Sequence, residues 1–436
     1  MLQRFILGII CLTALCRLPL LAQDSSNKAL PQLWDLQTCL DYARQNNITL
    51  NSLRLTSKSG EQDVILSKAA KTPYLTGNVS QSLTNYKSGL TPASGYGVSS
   101  SVTLYNGNYL NNDIKEKQLS LQAANLNILS SENDITLQIT QAYLNILLSK
   151  ENIIYLHDII NTVQAQIKQG QQKFDAGTIA KKDLLELQAT LATDKYNLVS
   201  EENTKRQYLL TLKQLLQLPS VTTFDIISKD SLPEKILLTP LPEAQRVALQ
   251  NRPEVKSSAL GVQIAQIGIE KAKAGLRPTL SLGGSLYTSY SKDPAYNYYN
   301  QLDNNFYQQL GATLSVPLFD RKTTKTNVVK ARIETEQAKL TLQNTRTTLS
   351  QSVEQAYINV LNAQSQYSAA AEQLKYTRES YRIANEQLKI GTYNTVEFLQ
   401  QKSLYTQALQ AYIQAKYSAV LYNKIYNFYI GIPVTQ

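Results

Sequence analysis

Gln141-Ala142-Tyr143 stands near the middle of the first half of the chain and returns in the second half as Gln355-Ala356-Tyr357, a shift of 214 residues. The same shift carries Leu104-Tyr105 onto Leu318-Phe319, and Gly177-Thr178 onto Gly391-Thr392. Earlier in each half the shift is 205, taking Ala43-x-Gln45-Asn46 onto Ala248-x-Gln250-Asn251 and Pro73-x-Leu75 onto Pro278-x-Leu280. The step between the two shifts falls where the second copy has the longer loop. Each match is short, but their constant register reads as an internal duplication. Duplicated units pack as equivalent parts of one architecture.

Outward from the repeated motif the hydrophobic period changes. Trp34 to about Lys71 reads as helix, ended near Pro73. A period of 2 then takes over. Leu75, Gly77, Val79 and Leu83 alternate with Tyr74, Thr76, Asn78, Ser80 and Ser82. After a loop through Pro92, Tyr96, Val98, Val102 and Leu104 alternate with Gly97, Ser99, Ser101 and Thr103, which predicts a hairpin. The second copy repeats this with Leu280, Leu282, Leu286 and Thr288, and a return strand carrying Leu310, Ala312, Leu314, Val316 and Leu318. The polar loop between, about Ser291 to Phe306, carries Tyr296, Tyr298 and Tyr299, which suit either a membrane interface or an ordinary exposed loop. Four strands leave open edges that need covering or closing. One apolar face and one Ser/Thr/Gly-rich face fit a barrel with lipid outside and water inside, closed by several chains together. A small sandwich packed on helices fits the same four patterns.

Nearly everything else reads as helix. Residues 108 to 173 hold no Pro and one Gly, and residues 322 to 390 hold neither. Each run would span on the order of 100 Å, which implies coiled-coil or tubular packing. Ile135, Ile139, Ala142, Ile146 and Leu147 form an apolar stripe opposite Asn, Gln and Thr. The first long helix turns at Phe174-Asp175-Ala176-Gly177-Thr178 and returns through about Leu218; the second turns at Lys389-Ile390-Gly391-Thr392-Tyr393 and returns through about Tyr429. Gly177 and Gly391 fit left-handed turn geometry. Residues 220 to 240 read as a linker with a short Ile-rich, strand-like piece.

Composition narrows the functional classes. The formal charge is +10, but Lys and Arg are scattered singly, without the basic and aromatic clustering of a nucleic-acid binder. One His and three Cys leave little for metal or redox chemistry, and no cofactor is expected. His157 stands alone in a helical stripe, no Ser-His-Asp arrangement is present, and no Gly-Lys-Thr loop would hold a nucleotide. The chain does not read as an enzyme. Arg4 followed by an apolar core from Phe5 to Cys16 and Leu20-x-Ala22 reads as a secretory signal, with Gln23 starting the mature chain. That run is short for a membrane span.

These features together resemble the TolC-like outer-membrane efflux family over essentially Trp34 to Pro433. The resemblance rests on Leu36 to Asn47 and its counterpart Ala248 to Val255 with Asn251-Arg252-Pro253-Glu254. It also rests on Pro278-x-Leu280, Ser315-Val-Pro317-Leu-Phe319-Asp320 with its looser twin Thr103-Leu-Tyr105-Asn-Gly107, and Gly391-Thr392 with Val396, Phe398 and Leu399. It implies a membrane β-barrel joined to a long α-helical barrel of coiled-coil helices. The implied assembly is a homotrimer, each chain giving four strands to a twelve-stranded barrel in outer-membrane lipid. The tips would dock on a periplasmic adaptor tied to an inner-membrane transporter of RND or ABC type. The function implied is passive conduction of exported substrates in efflux or type I secretion.

The resemblance divides the chain into a signal peptide (1–22), a lead (23–33), a first repeat (34–218; hairpin 74–106, tip near 174–178), a linker (219–240), a second repeat (241–430; hairpin 279–319, tip near 389–393) and a tail (431–436). It also implies a periplasmic aperture lined by acids just past each tip. Asp183 and Glu397 each lie six residues past their tip glycine, and Glu186 one turn further, where the second copy has Gln400 instead of an acid. A solvated helical face is the competing reading of these residues. Docking is expected at Phe174, Gly177, Thr178, Leu388, Ile390, Gly391, Thr392 and Tyr393, although Phe174 and Ile390 would also serve as staples of their own hairpins. Tyr393 stands where the best-known members carry a basic residue that pins the closed state, and Leu388 replaces a tyrosine. A secreted or surface-attached coiled-coil structural or adhesion protein would explain the helices and the signal, but not two hairpins at matched positions.

Overall fold

The computed structural model describes residues 33–87, 89–227, 238–292 and 297–432. The signal peptide, most of the lead, part of the linker, Tyr296 and the last four residues lie outside that set. The architecture is a four-stranded antiparallel sheet carried on two long helical hairpins. Strand β1 (Leu33–Trp34) is the first element among the described residues, followed by α1 (Leu36–Asn46), α2 (Ile48–Ala69), β2 (Tyr74–Tyr86) and β3 (Gly89–Asn106). The first long hairpin is α3 (Tyr109–Asp175) and α4 (Lys181–Leu216), and β4 (Asp225–Ile226) follows it. The second repeat runs through α5 (Leu241–Asn251), α6 (Pro253–Lys273), a 3₁₀ turn (Ala274–Leu276), β5 (Thr279–Ser291), α7 (Tyr298–Asn304), β6 (Tyr307–Ser315), α8 (Thr323–Ile390) and α9 (Thr395–Tyr429).

The opening helix is broken where the sequence reads as continuous. Asn47 leaves the helical region, with φ −62° and ψ 124°, and its side chain accepts hydrogen bonds from the N–H groups of Thr49 and Leu50. Asparagine is a strong N-cap, so one residue both ends α1 and starts α2. The first hairpin is also tighter than its sequence implies: Pro92 is inside β3, paired with Leu83. The polar loop of the second hairpin holds a short helix, α7.

The sheet order is β2-β3-β5-β6. Partners across a ladder share a face. The register therefore puts Leu75, Val79, Leu83, Val98, Val102, Leu282, Leu286, Leu310 and Leu314 on one side. The other side carries Thr76, Ser80, Ser99, Ser101, Ser281, Ser285, Gln309 and Thr313. The apolar side is bare: Leu310 is 80% exposed and Val79 77%. At the hairpin-loop end of that side, α7 is tied down. Thr288 Oγ1 donates to Leu302 O (2.5 Å), Asn305 Nδ2 donates to Ser289 O (2.8 Å), and the Tyr96 and Tyr298 hydroxyls bond at 2.9 Å. Tyr290, Tyr298 and Tyr299 pack as an aromatic group there.

The buried cores lie where the short helices cross the long ones, and they explain the repeated Gln-Ala-Tyr. Ala142 and Tyr143 pack into a core with Trp34, Cys39, Leu40, Ala43, Ile139, Ile146 and Leu216. Ala356 takes the same place in the second core, with Ala244, Ala248, Val353, Val360 and Tyr426, and Tyr357 packs against it. Ala43 and Ala248, matched in the duplication, are both buried, so each core takes a small side chain from its short helix. Tyr143 Oη donates to Ile227 O (2.7 Å) and Tyr426 Oη to Thr239 O (2.6 Å), which satisfies each buried hydroxyl. Trp34, edge-on to Tyr42 and Phe224, closes the first core, and β1 and β4 pair in parallel beside it. Burial pushes the Cys39 thiol up to about 12, with the Asp35 charge adding to it.

The two strand-to-helix junctions are built alike. Gly107 and Asn108 have φ of 66° and 69°; Arg321 and Lys322, their counterparts, have 54° and 65°. Asn106 Oδ1 accepts from Leu110 N (3.2 Å), as Asp320 Oδ2 accepts from Thr324 N (2.8 Å). Gly107 is doubly constrained, because a Cβ there would sit 2.7 Å from Arg277 Cβ. Arg321 and Lys322 hold the same backbone with full side chains, at a strain of roughly 1–2 kcal/mol each.

Candidate functional site

Each tip turn is closed by a glycine and a threonine. Gly177 has φ 72° and Gly391 φ 81°, the left-handed conformation that a helix end adopts most cheaply with glycine. Thr178 N donates to Lys173 O (2.8 Å) and Thr392 N to Gln387 O (3.0 Å), while Gly177 N and Gly391 N reach Phe174 O and Leu388 O. Each threonine adds its hydroxyl to the same carbonyl, at 2.8 and 3.3 Å. The repeated Gly-Thr is thus a helix stop. Nothing lies within 4 Å of a Cβ added at either glycine.

The fold brings the two tips together around a cleft of about 870 Å³. Its walls include Thr178, Asp183, Leu388, Ile390, Gly391, Thr392, Tyr393 and Glu397. Phe174 and Gly177 do not line it, nor do Glu186 and Gln400. Phe174, Leu388 and Tyr393 are half-buried; Ile390 is exposed. Asp183 and Glu397 each sit in the first turn of a return helix, where the backbone dipole favours an acid. Asn394 caps α9 by accepting from Glu397 N at 2.8 Å. Glu186 pairs with Lys182 at 3.6 Å, and its Oε2 is buried without a hydrogen-bond partner. Gln400 is exposed.

Sequence reasoning missed Lys173. Its Nζ crosses from the first tip to Leu388 O (3.0 Å) and Lys389 O (3.4 Å) at the end of α8. A cation in the last helical turn is a sequence signal, but it points to the residue's own helix end and not to its neighbour's. Further polar links tie the hairpins together above the cleft. Gln166 Nε2 donates to Asn385 Oδ1 (3.0 Å), and Lys416 meets both Glu151 oxygens at 2.9 Å. Lys402 on α9 meets Asp194 on α4 at 2.5 Å, their side chains 6% and 10% exposed. Tyr381 stacks on Tyr405 beside Phe398 in the same layer. Burial raises the Tyr381 hydroxyl above its ordinary range, and the Asp194 charge works in the same direction.

No group of three or more His, Cys, Asp or Glu stands in metal-binding geometry among the described residues, and His157 is exposed. No described helix is long and apolar enough to cross a membrane. A sheet with one bare apolar face, set on hairpins about 100 Å long that end in matched Gly-Thr turns, defines the class of outer-membrane channels with a periplasmic helical duct. The chain belongs to the outer membrane efflux protein family, whose pattern matches residues 39–217 and 245–421. It is a conduit of efflux or secretion systems in the outer membrane, with a large helical extension into the periplasm.

The chain is 20% identical over 405 residues to the outer membrane efflux protein BepC of Brucella suis, covering 88% of this chain and 83% of BepC. It is 22% identical over 419 residues to TolC of Vibrio cholerae, covering 93% and 92% of the two chains. The fold resembles the CusC structure with a TM-score of 0.81 at 16% identity, covering 92% of this chain and 93% of that one.

Proposed function

We propose that three copies of this chain close one twelve-stranded barrel, and that their helices form a single duct for exported substrates. The observation that carries this reading is the uncovered apolar face between two open sheet edges, β2 and β6. An open edge beside a bare apolar face is unstable in water, and pairing β2 of one copy with β6 of the next removes both edges. The apolar side of β5 runs from Leu280 to the level of Tyr290. At about 3.3 Å per residue and a tilt near 45°, that is roughly 24 Å, close to the apolar band of outer-membrane barrels.

At the other end, Asp183 and Glu397 form the acidic lining of the aperture, and the tip cleft takes a periplasmic adaptor that links the duct to an inner-membrane transporter of RND or ABC type. Threefold symmetry repeats each charge as a ring, which favours cations and repels anions. Glu186 and Gln400, one turn further along the return helices, extend this aperture lining, and Phe174 belongs to the docking surface of the first tip. The test is single-channel conductance of purified trimers in planar bilayers with added divalent cation. Glu397→Ala should weaken cation block severalfold. Block unchanged in both Glu397→Ala and Asp183→Ala would refute the aperture assignment. Crosslinking in native envelopes with mass spectrometry tests docking: intact trimers that capture no adaptor would refute that part.

A further inference from the structure

Arg321 and Lys322 break two local rules at once. Both take left-handed backbone that side chains avoid, where the first repeat has Gly107 and Asn108. Both also precede the N-terminus of α8, where the helix dipole disfavours cations. Both are exposed and neither makes an ion pair among the described residues. Residues that break local rules without local compensation point to a role beyond folding.

Their surroundings indicate which role. Just before them, past the end of β6 at Ser315, Leu318 is 95% exposed and Phe319 85%. Lys325, Lys71 and Lys115 lie near the ends of α8, α2 and α3 that join the strands, and all three are exposed. The Lys71 ammonium bonds to Asn111, at the start of α3. The two junctions meet on the 3₁₀ turn: Arg277 reaches Gly107 O at 2.9 Å, and a Cβ on Gly275 would meet Thr324 Oγ1 at 2.7 Å. The nearby acids are already engaged. Asp113 and Glu116 hold Lys271 at 2.7 and 2.9 Å, Glu270 holds Lys273 at 2.6 Å, and Asp320 accepts from Thr324 N.

We propose that this cationic collar, centred on Arg321 and Lys322, binds the phosphate headgroups of anionic phospholipids in the inner leaflet of the outer membrane. Bare apolar side chains enter the acyl region while the cations just beneath meet phosphate. The collar fixes the depth of the barrel, and with it the height of the tips above the inner membrane. This rests on the barrel reading above.

The test uses full-length trimers in nanodiscs of zwitterionic lipid with a trace of spin-labelled phosphatidylglycerol or phosphatidylcholine, reading the immobilised fraction of each. Wild type should retain phosphatidylglycerol preferentially, by about fivefold per engaged cation at low salt, and less in high salt. The double variant Arg321→Gly/Lys322→Asn borrows the first repeat's residues and relieves the backbone. It should form trimers at least as stable as wild type yet lose the preference. Arg321→Gln, which keeps the strained backbone and removes one charge, should lose part of it. Equal retention of both lipids by wild type would overturn the proposal. So would a variant that loses its trimers together with its lipid, since that assigns the cations to protomer contacts. Failure to insert into the nanodiscs at all would instead refute the barrel reading.

Discussion

Replacing Lys402 with methionine keeps the length of the side chain but removes the partner of a buried carboxylate. In the wild type the Lys402 ammonium lies 2.5 Å from Asp194, with both side chains nearly inaccessible. Asp194 is then left buried without its counter-charge. Breaking a buried pair in this way costs about 3–5 kcal/mol. The pair joins the return helices of the two hairpins, so the loss should be local. Hydrogen exchange by mass spectrometry on trimers should show faster opening of peptides spanning 190–200 and 398–406. Asp194→Asn in the Lys402→Met background should restore most protection. A Lys402→Met loss below about 1 kcal/mol, or one that Asp194→Asn does not reverse, would refute the claim that Asp194 needs its counter-charge.

Other outcomes follow from the same geometry. Gly391→Ala should cost about 1 kcal/mol of tip stability, because only its backbone conformation resists a side chain, and Gly391→Asn should cost less. Gly107→Ala should cost more than Gly391→Ala, since its Cβ also meets Arg277; local exchange rates at the two turns would order them. Burial alone would raise the Asp225 carboxyl, but its bonds to Lys150 and Ile226 N, with the charges of Lys150 and Lys205, hold it below the ordinary range. Its stabilising effect is therefore present above the unfolded value and lost as pH falls through the depressed folded value, below about pH 4. Acid melting should expose the β1–β4 pair first, and Asp225→Asn should flatten that dependence.

What the sequence disclosed, and what it withheld, divides along a physical line. Periodicity reports on one element at a time, so the strands, the long helices and both tips were legible within a few residues. Asn47 was missed because its cap interrupts a helix without changing the apolar pattern on either side. Duplication extended the reading to pairs of elements: the Ala43–Ala142 crossing and the Ala248–Ala356 crossing follow from one another. It failed where the halves are asked to differ. The counterpart of Asp194 under the 214-residue shift is Ala408, fully buried, and that of Lys402 is Gln188. The repeat therefore gave no reason to pair them, although they form the most buried ion pair between the hairpins. Lys173 was hidden for the same reason, since its counterpart Gln387 carries no charge. Hairpins set side by side around a duct meet heterologously, so a position that faces the neighbouring hairpin in one copy faces a different surface in the other. Each half is therefore free to change its contact residues independently, and at Asp194, Lys402 and Lys173 the halves differ. Departures from internal symmetry at buried polar positions, such as Asp against Ala or Lys against Gln, are the sequence signal that would have found both contacts.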